Sequence, residues 1–321
     1  MAEDVVIRAQ GLVKRYGGTV AVDHIDFDVH AGEIVGILGP NGSGKTTIMR
    51  TLAGYFPPTS GRASVDGVDV GREPLRARER VGYLPENAVW YPDMRVRQFL
   101  EFCADVRHLR GATRRVRLAA VLEGCGLADV EHRLIGQLSK GYRQRLGIAQ
   151  AVIHEPAVLI LDEPTVGLDP RQVVEIRQLI RELRGRTTVL LSTHILSEVS
   201  SVCDRIVIIN RGRLVVENTA AALVREQQRG ERTLLRVDGP AAQVAAALRA
   251  LAGVERVEHE AHDSGGARLL VSTAAGVPSA AALAAAVVNG GWGLLELRPL
   301  AMSLEDLYVR LVVPHEEPSR R

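Results

Sequence analysis

The sequence predicts an α/β fold in which a large core with a buried parallel sheet is followed by a smaller α+β domain. The first observation is an apolar run, Glu33 to Leu38, that leads through a glycine-rich loop into a helical pattern from Lys45 to Gly54. The second is another apolar run, Ala157 to Leu161, that ends in two carboxylates. The third is the alanine-rich composition of the last part of the chain. We therefore expect one domain over residues 1–229 and another over residues 230–321.

The glycine-rich loop matches the phosphate-loop pattern G-x-x-x-x-G-K-[ST] at every fixed position. Its glycines allow successive backbone N–H groups to point at one anion, and the following helix adds the positive end of its dipole. We expect Lys45 to reach the outer phosphates of a nucleoside triphosphate and Thr46 to offer its hydroxyl to Mg²⁺. A glycine-rich turn without a ligand is the alternative. The residues predicted to bind nucleotide here are Gly39, Pro40, Asn41, Gly42, Ser43, Gly44, Lys45, Thr46 and Thr47.

The composition of the chain limits its expected partners and its expected location in the cell. The 321 residues include 40 basic and 38 acidic side chains, so the formal charge of +2 does not call for a nucleic-acid partner. The isolated cysteines, Cys103, Cys125 and Cys203, favour a reducing compartment. The chain begins with an acidic segment instead of a signal peptide, and its most apolar window, around Ala280 to Leu295, is interrupted by glycines. We therefore expect a cytoplasmic protein without a membrane span.

Two strands are predicted ahead of the phosphate loop, over Val5–Tyr16 and Ala21–Val29. Tyr16 either stacks on adenine or packs in a half-buried strand without a ligand. A further strand is predicted at Val81–Leu84, and from about residue 87 to 150 helical periodicity indicates a helical subdomain inserted in the core. Its arginines are interpreted as a solvated helix face, with contact to anionic lipid headgroups as the alternative, and they include Arg107, Arg110, Arg114, Arg115 and Arg117.

The two carboxylates that follow the second apolar run, Asp162 and Glu163, are the candidates for the chemistry. An acid at the carboxyl end of a buried parallel strand lies where the sheet would hold Mg²⁺ beside a phosphate loop. Because successive strand side chains point to opposite faces, we assign Asp162 to the metal and Glu163 to the attacking water. Ahead of this strand, Ser139 is predicted to cap a helix.

The core continues with a helix from Arg171 to Arg184 and a buried strand from Thr187 to Ser192, followed by His194. His194 either contacts the outermost phosphate or has only a structural partner. The last part of the chain predicts a small ferredoxin-like domain and a final helix over Leu304–Val312. The ferredoxin-like elements alternate as strand, helix, strand, strand, helix and strand, over residues 233–237, 241–251, 254–258, 268–273, 279–288 and 293–297.

Taken together, these motifs resemble the ATP-binding subunits of ABC transporters over roughly residues 5 to 225. The resemblance rests on their order: the phosphate loop, the segment Leu138-Ser-Lys-Gly-Tyr142, the strand ending Asp162-Glu163, the turn Gly167-Leu-Asp169, and His194. It implies a P-loop NTPase core of the ABC ATPase type. It further implies that Tyr16 stacks on adenine, that Ser139 and Gly141 cap the phosphate of an ATP held by a second subunit, that Asp169 lies at the dimer seam, and that His194 senses the terminal phosphate.

Two positions depart from the family's usual pattern. Glu86 stands where glutamine is usual after Tyr83-Leu-Pro, and the usual signature L-S-G-G-Q reads Leu-Ser-Lys-Gly-Tyr. Both variants are similar to those of the drug-resistance and gliding-motility type of exporter subunit, which also carries a C-terminal extension. Glu86 is therefore expected at the metal, where the family's glutamine lies.

The resemblance implies an ATPase that dimerises around two ATP molecules with Mg²⁺ and powers a separate membrane permease for export. Such a subunit would lie on the inner face of the cell membrane, held there through the permease. The alternative is a soluble ATPase switch acting on ribosomes or DNA, although such proteins usually join two cores or carry long coiled coils. A regulatory ATP-binding protein without turnover is disfavoured by Glu163. The domain after residue 229 is expected to regulate the core or support its dimer.

Overall fold

The computed structural model describes residues 4–219, 221–223, 230–263, 266–274, 279–300 and 308. Contacts divide the chain into two compact units, Met1–Thr219 and Ala220–Arg321. Apart from Tyr308, the helix predicted at Leu304–Val312 lies outside the described residues.

The first unit contains two sheets. An antiparallel sheet has the order β2-β1-β4-β5, and a six-stranded sheet has the order β10-β9-β3-β8-β7-β6, in which β10 alone runs antiparallel to its neighbour. The strands are β1 (Val5–Tyr16), β2 (Thr19–His30), β3 (Ile34–Leu38), β4 (Ser60–Val65), β5 (Val68–Asp69), β6 (Val81–Leu84), β7 (Val158–Asp162), β8 (Thr188–Thr193), β9 (Arg205–Asn210) and β10 (Arg213–Asn218).

Every residue of β3, β7 and β8 is buried, as expected for parallel strands that are covered on both faces. The hydrophobic core joins the antiparallel sheet to one face of the six-stranded sheet, with the buried side of α1 included in it. The helices are α1 (Lys45–Leu52), α2 (Pro74–Arg80), α3 (Val96–Val106), α4 (Gly111–Gly124), α5 (Lys140–Val152), α6 (Pro170–Glu182) and α7 (Leu196–Val202). Because β3, β8 and β7 are neighbours, their carboxyl ends lie side by side.

The interpretation of the helical subdomain's arginines as a solvated face is wrong for two of them. Arg107 donates hydrogen bonds to the carbonyl oxygens of Arg78 and Val81, and Arg117 donates to those of Val152 and Ile153. Arg107 therefore ties the end of α3 to the edge of the six-stranded sheet, and Arg117 ties α4 to the end of α5. Among the others, Arg110 and Arg115 are exposed, and Arg114 lies within 4 Å of acidic groups on α3.

The second unit has the predicted order of elements. Its antiparallel sheet is arranged β12-β13-β11-β14, and buried side chains of one sheet face pack with those of two helices. Its elements are β11 (Gly230–Asp238), α8 (Ala241–Arg249), β12 (Val254–Asp263), β13 (Gly266–Ala274), α9 (Ala280–Asn289) and β14 (Gly293–Leu300). Strands β12 and β13 pair antiparallel over most of their lengths, and both are longer than the apolar pattern alone predicted.

None of the helices in the described part of the chain is long and apolar enough to cross a membrane.

Candidate functional site

The phosphate loop joins β3 to α1, and close backbone contacts require two of its glycines. A Cβ atom at Gly39 would lie 2.3 Å from the carbonyl oxygen of Ile209, and one at Gly44 would lie 2.5 Å from that of Ala21. Gly44 also has a φ of +107°, which residues with a Cβ atom rarely adopt. Among the described residues no side chain caps the N-terminus of α1, so its first N–H groups are open to an anion.

The other loop residues differ in exposure. Asn41 and Gly42 are exposed, whereas Pro40 and Thr47 are half-buried. Ser43 is buried, and its hydroxyl has no hydrogen-bond partner among the described residues. The loop therefore presents its tip to solvent and keeps its sides packed against the strands.

Lys45 is buried at the foot of the loop. Its ammonium group donates to the carbonyl oxygens of Gly39 at 2.8 Å and Pro40 at 3.3 Å. The same Nζ atom lies 3.4 Å from Oε1 of Glu163, which is also buried. Two opposite charges thus compensate each other beside the loop, where an isolated buried charge would be costly.

Asp162 ends β7 and lies beside Thr46. Its Oδ1 atom accepts hydrogen bonds from the hydroxyls of Thr46 at 3.2 Å and Ser192 at 2.6 Å. Its Oδ2 atom is buried and has no hydrogen-bond partner among the described residues. Burial raises the pKa of Asp162, and the two hydroxyl bonds act in the opposite direction. An oxygen with unused lone pairs beside a threonine hydroxyl suits a hard cation.

Glu163 and His194 form a second contact at the same edge. His194 Nδ1 lies 2.9 Å from Oε2 of Glu163, so the carboxylate is held between His194 and Lys45. The strand alternation from which the two acids were assigned does not extend to Glu163, because β7 ends at Asp162 and Glu163 has a φ of +51°. This turn of the backbone brings both acids to the phosphate loop.

The signature segment forms a different surface. Ser139 caps α5 by accepting a hydrogen bond from the Tyr142 N–H, and a Cβ atom at Gly141 would lie 2.8 Å from the Gln172 side chain. Asp169 caps α6 in the same way, through the Gln172 N–H at 2.9 Å. These groups line a cavity of about 430 Å³, together with Gly126, Arg145, Arg171, Glu175 and Ile176. Within the described residues no hydrogen bond or ion pair joins Ser139 to the phosphate loop.

Known proteins match this chain in sequence and in fold. A family model described as ABC transporter matches residues 22–166. The uncharacterized ABC transporter ATP-binding protein YdbJ of Bacillus subtilis is 34% identical to this chain over 99% of it and 98% of the relative. This chain belongs to the family of ABC transporter ATP-binding proteins. It is therefore an ATP-binding subunit and an ATPase, as its sequence predicted.

Other members add detail to this ABC ATPase. The daunorubicin resistance ATP-binding protein DrrA3 of Streptomyces coeruleorubidus is 42% identical over 70% of this chain and 71% of the relative. A bacterial ABC transporter cassette that was solved as a dimer has a TM-score of 0.60 and 25% identity, over 66% of this chain and 98% of that one. The predicted P-loop core of the ABC ATPase type is thereby confirmed.

In the described part of this ABC ATPase, no hydrogen bond or ion pair joins Tyr16 or Glu86 to Asp162 or Glu163. Tyr16 is 45% exposed, with the Phe56 ring edge-on at 6.1 Å and the Lys14 ammonium 5.5 Å from its ring centre. Glu86 is exposed after the end of β6, and no hydrogen bond joins it to Asp162 within the described residues. Because the roles expected of both residues depend on bound nucleotide, they stay predictions.

Sequence reasoning missed Ser192. Its hydroxyl donates to Asp162, and it accepts hydrogen bonds from the Glu163 N–H at its Oγ atom and at its backbone oxygen. Ser192 thus fixes both acids from the neighbouring strand. The available signal was its place near the end of a buried strand, two residues before His194.

Proposed function

We propose that this ABC ATPase works as a dimer of two identical chains, hydrolyses ATP at sites shared between them, and drives export through a separate membrane permease. One observation carries the hydrolytic part of the proposal. Lys45, Asp162, Glu163 and His194 converge at the carboxyl ends of neighbouring strands, within hydrogen-bond or ion-pair distance of one another or of the phosphate loop.

In this proposal Glu163 is the general base. Its carboxylate is oriented by His194 and accepts a proton from the water that attacks the terminal phosphate. Lys45 exchanges its contacts with loop carbonyls for the outer phosphates and offsets their negative charge. His194 is exposed enough to reach the terminal phosphate while keeping its contact with Glu163. The four groups then act on one phosphoryl transfer to water.

We further propose that Mg²⁺ accompanies ATP. The residues that would hold it are Thr46 and Asp162, and the unpartnered Oδ2 atom of Asp162 fits that role. Few protein ligands are needed, because Mg²⁺ retains waters and takes phosphate oxygens from the nucleotide. When bound, the ion supplies charge neutralisation to the phosphates. Glu86 stays a prediction at this metal, since its exposed side chain would have to approach Asp162 from β6.

The shared site is supported by the separate surface around Ser139 and Asp169. Gly141 approaches Gln172 so closely that α5 and α6 present their N-termini together. Those N–H groups and their dipoles suit the phosphate of an ATP bound by another chain. A similar cassette was solved as a dimer, which supports dimerisation of this chain. Tyr16 would stack on the adenine through its exposed ring.

The permease is proposed to dock in a groove of about 750 Å³ between α2, α3 and the end of α1. Large apolar side chains are exposed there, which is unusual outside interaction surfaces. They are Tyr55, Leu75, Phe102 and Val106. Docking there would hold the ATPase on the inner face of the membrane. The direction of export is proposed from the name of a relative, which associates it with daunorubicin resistance.

The test of the hydrolytic site is the substitution Glu163→Gln. Turnover should fall by about 100-fold or more, because the amide cannot accept the proton from water. ATP binding should persist, since Lys45 and the loop are untouched, and an ATP-bound dimer should accumulate. Steady-state ATPase assays, nucleotide titration and light scattering measure these three effects, with the exposed Glu123→Gln as matched control. Turnover near that of the control would refute the base assignment.

A further inference from the structure

A buried acid, Glu198, connects the loop that carries Glu163 to the loop that carries His194. Glu198 lies in the first turn of α7, and its carboxylate is buried. Its Oε1 atom accepts a hydrogen bond from the Thr165 hydroxyl at 2.5 Å, and its Oε2 atom accepts one from the Thr193 hydroxyl at 2.7 Å. Thr165 follows Glu163 by two residues and Thr193 directly precedes His194. One carboxylate therefore bridges the loops after β7 and β8.

Both loops are further ordered by the same threonines. The Thr193 hydroxyl accepts a hydrogen bond from the Ile195 N–H at 3.0 Å, so it fixes the backbone on either side of His194. The Thr165 carbonyl oxygen accepts from the Leu168 N–H at 3.2 Å, which shapes the turn after Glu163. A shift of Glu198 would thus move the backbone of both loops.

Helix packing alone does not explain a carboxylate at this position. A buried acid is costly, and an apolar side chain of similar size often packs as well or better. Only one positive group compensates it among the described residues, the guanidinium of Arg177 on α6, at 3.6 Å from Oε1. A carboxylate does offer what an apolar side chain cannot, which is two oxygens that accept from two hydroxyls, one in the turn after β7 and one at the end of β8.

We propose that Glu198 is a positioning residue for ATP hydrolysis, because it sets the distance between Glu163 and His194 through Thr165 and Thr193. This inference rests on the proposed roles of Glu163 and His194. Within the described residues no hydrogen bond or ion pair joins Glu198 to the phosphate loop, so its proposed action is indirect.

The test compares variants of the full chain. Glu198→Ala should lower kcat by about tenfold or more, because small displacements of reacting groups are enough to slow a reaction this much. The affinity for ATP should stay within about twofold of the wild type, since the phosphate loop is not touched. Glu198→Gln should recover most of the turnover, because its amide oxygen still accepts from one hydroxyl and its N–H group donates to the other. Ser200→Ala, an exposed change on the same helix, is the matched control.

A second variant separates positioning from general stability. If Glu198 acts through Thr193, the double variant of Glu198→Ala with Thr193→Val should be no slower than Glu198→Ala alone, whereas independent defects multiply. The inference is overturned by wild-type kcat in Glu198→Ala, by parallel losses of kcat and ATP affinity, by a glutamine variant as slow as alanine, or by multiplying defects. The Glu163→Gln variant is measured in the same assays. If it retains turnover, the proposal that Glu163 is the general base fails. If it is slow while Glu198→Ala is not, only the proposed role of Glu198 fails.

Discussion

At the scale of single residues, Asp162 combines an unfavourable environment with neighbours that suit a cation. The carboxylate is fully buried, and burial raises its pKa above the ordinary value of 3.8. The hydroxyls of Ser192 and Thr46 reduce this penalty without removing it. When no ligand is bound, the folded chain therefore disfavours the ionised form that a cation requires, relative to the unfolded chain.

Replacing Asp162 by asparagine should stabilise the nucleotide-free protein and abolish most of its activity. The amide oxygen can keep both hydroxyl bonds, while the cost of a buried charge disappears. Because the folded-state pKa is raised, the wild type loses stability as pH rises through that value, and the variant does not. The gain in Tm, on the order of a few °C, should thus be larger at pH 7 than near pH 4. Thermal unfolding in a chelator checks this, with the exposed Asp93→Asn as control; a lower Tm at pH 7 contradicts it.

The sequence predicted which acids meet the phosphate loop, but it did not predict how they are held. Ser192 lies opposite Asp162 in the register of β7 with β8, and a single sequence does not define that register across the intervening helix. The φ of +51° at Glu163 was equally hidden, because proline and threonine after the strand allow several turns. The chemistry was visible in residue types, whereas the supporting contacts depend on strand neighbours.

At the scale of elements, the helical subdomain is attached through a very close approach between α5 and β6. A Cβ atom at Gly82 would lie 2.0 Å from the carbonyl oxygen of Ala151 and 3.1 Å from the ring of Pro156. The Gln150 side chain donates to the Tyr83 carbonyl oxygen at 3.0 Å on the same side. Glycine in a strand normally weakens it, so its presence here marks close backbone contact.

Gly82→Ala should therefore destabilise the protein by about 1–3 kcal/mol, since the clash involves backbone and cannot be relieved by rotating a side chain. Gly124→Ala is the matched control, because a Cβ atom at that helical position meets nothing within 4 Å and the φ is not positive. The control should be neutral or slightly stabilising. Urea unfolding of the two variants measures the difference, and equal midpoints would mean that α5 can move away from β6 without cost.

The elements themselves were largely predictable from periodicity, and their attachments were not. Apolar runs identified β3, β7 and β8 because both faces of these strands are buried. Arg107 and Arg117 were misinterpreted because their guanidinium groups reach carbonyls on other elements, and a helical pattern contains no such information. A long polar side chain on a helix can either extend into solvent or bind another part of the protein.

At the scale of the whole molecule, ATP sites that are shared between subunits predict different rates of ATP hydrolysis for two kinds of mixed dimer. When one subunit carries Lys45→Ala and the other carries Ser139→Ala, one site takes both defects and the other takes none. Such dimers should recover up to about half of the wild-type turnover, if one intact site can act without the other. When both changes are in one subunit and its partner is wild type, each site takes one defect and turnover should be low.

The two arrangements contain the same substitutions, so their stability and nucleotide content are matched. ATPase rates of purified mixed dimers give the comparison. Should sites lie within single subunits, the order reverses, because the wild-type subunit of the second arrangement would then keep an intact site. That reversal would contradict the proposed pairing of the phosphate loop with the signature segment of another chain.

The second unit has its own hydrophobic core, so its removal is a fair test of what it contributes. Its buried side chains come from one face of its sheet and from α8 and α9, and the core of the first unit draws on its own sheets and α1. The described part of the second unit contains no phosphate loop and no cluster of three metal-binding side chains. We propose that it regulates turnover or supports the dimer.

A chain that ends at Thr219 should fold and bind ATP, because each unit is compact by its internal contacts. Its affinity for ATP should stay within about twofold of the full chain, since the hydrogen bonds and ion pairs described for Lys45, Asp162 and Glu163 join residues of the first unit. The truncated chain should dimerise less tightly than the full chain in the presence of ATP, or its rate of ATP hydrolysis should no longer be controlled as in the full chain. Light scattering measures dimerisation, and ATPase assays measure the rate of hydrolysis. If neither differs from the full chain, the second unit is a passive appendage. Loss of ATP binding by a folded first unit would contradict the domain boundary.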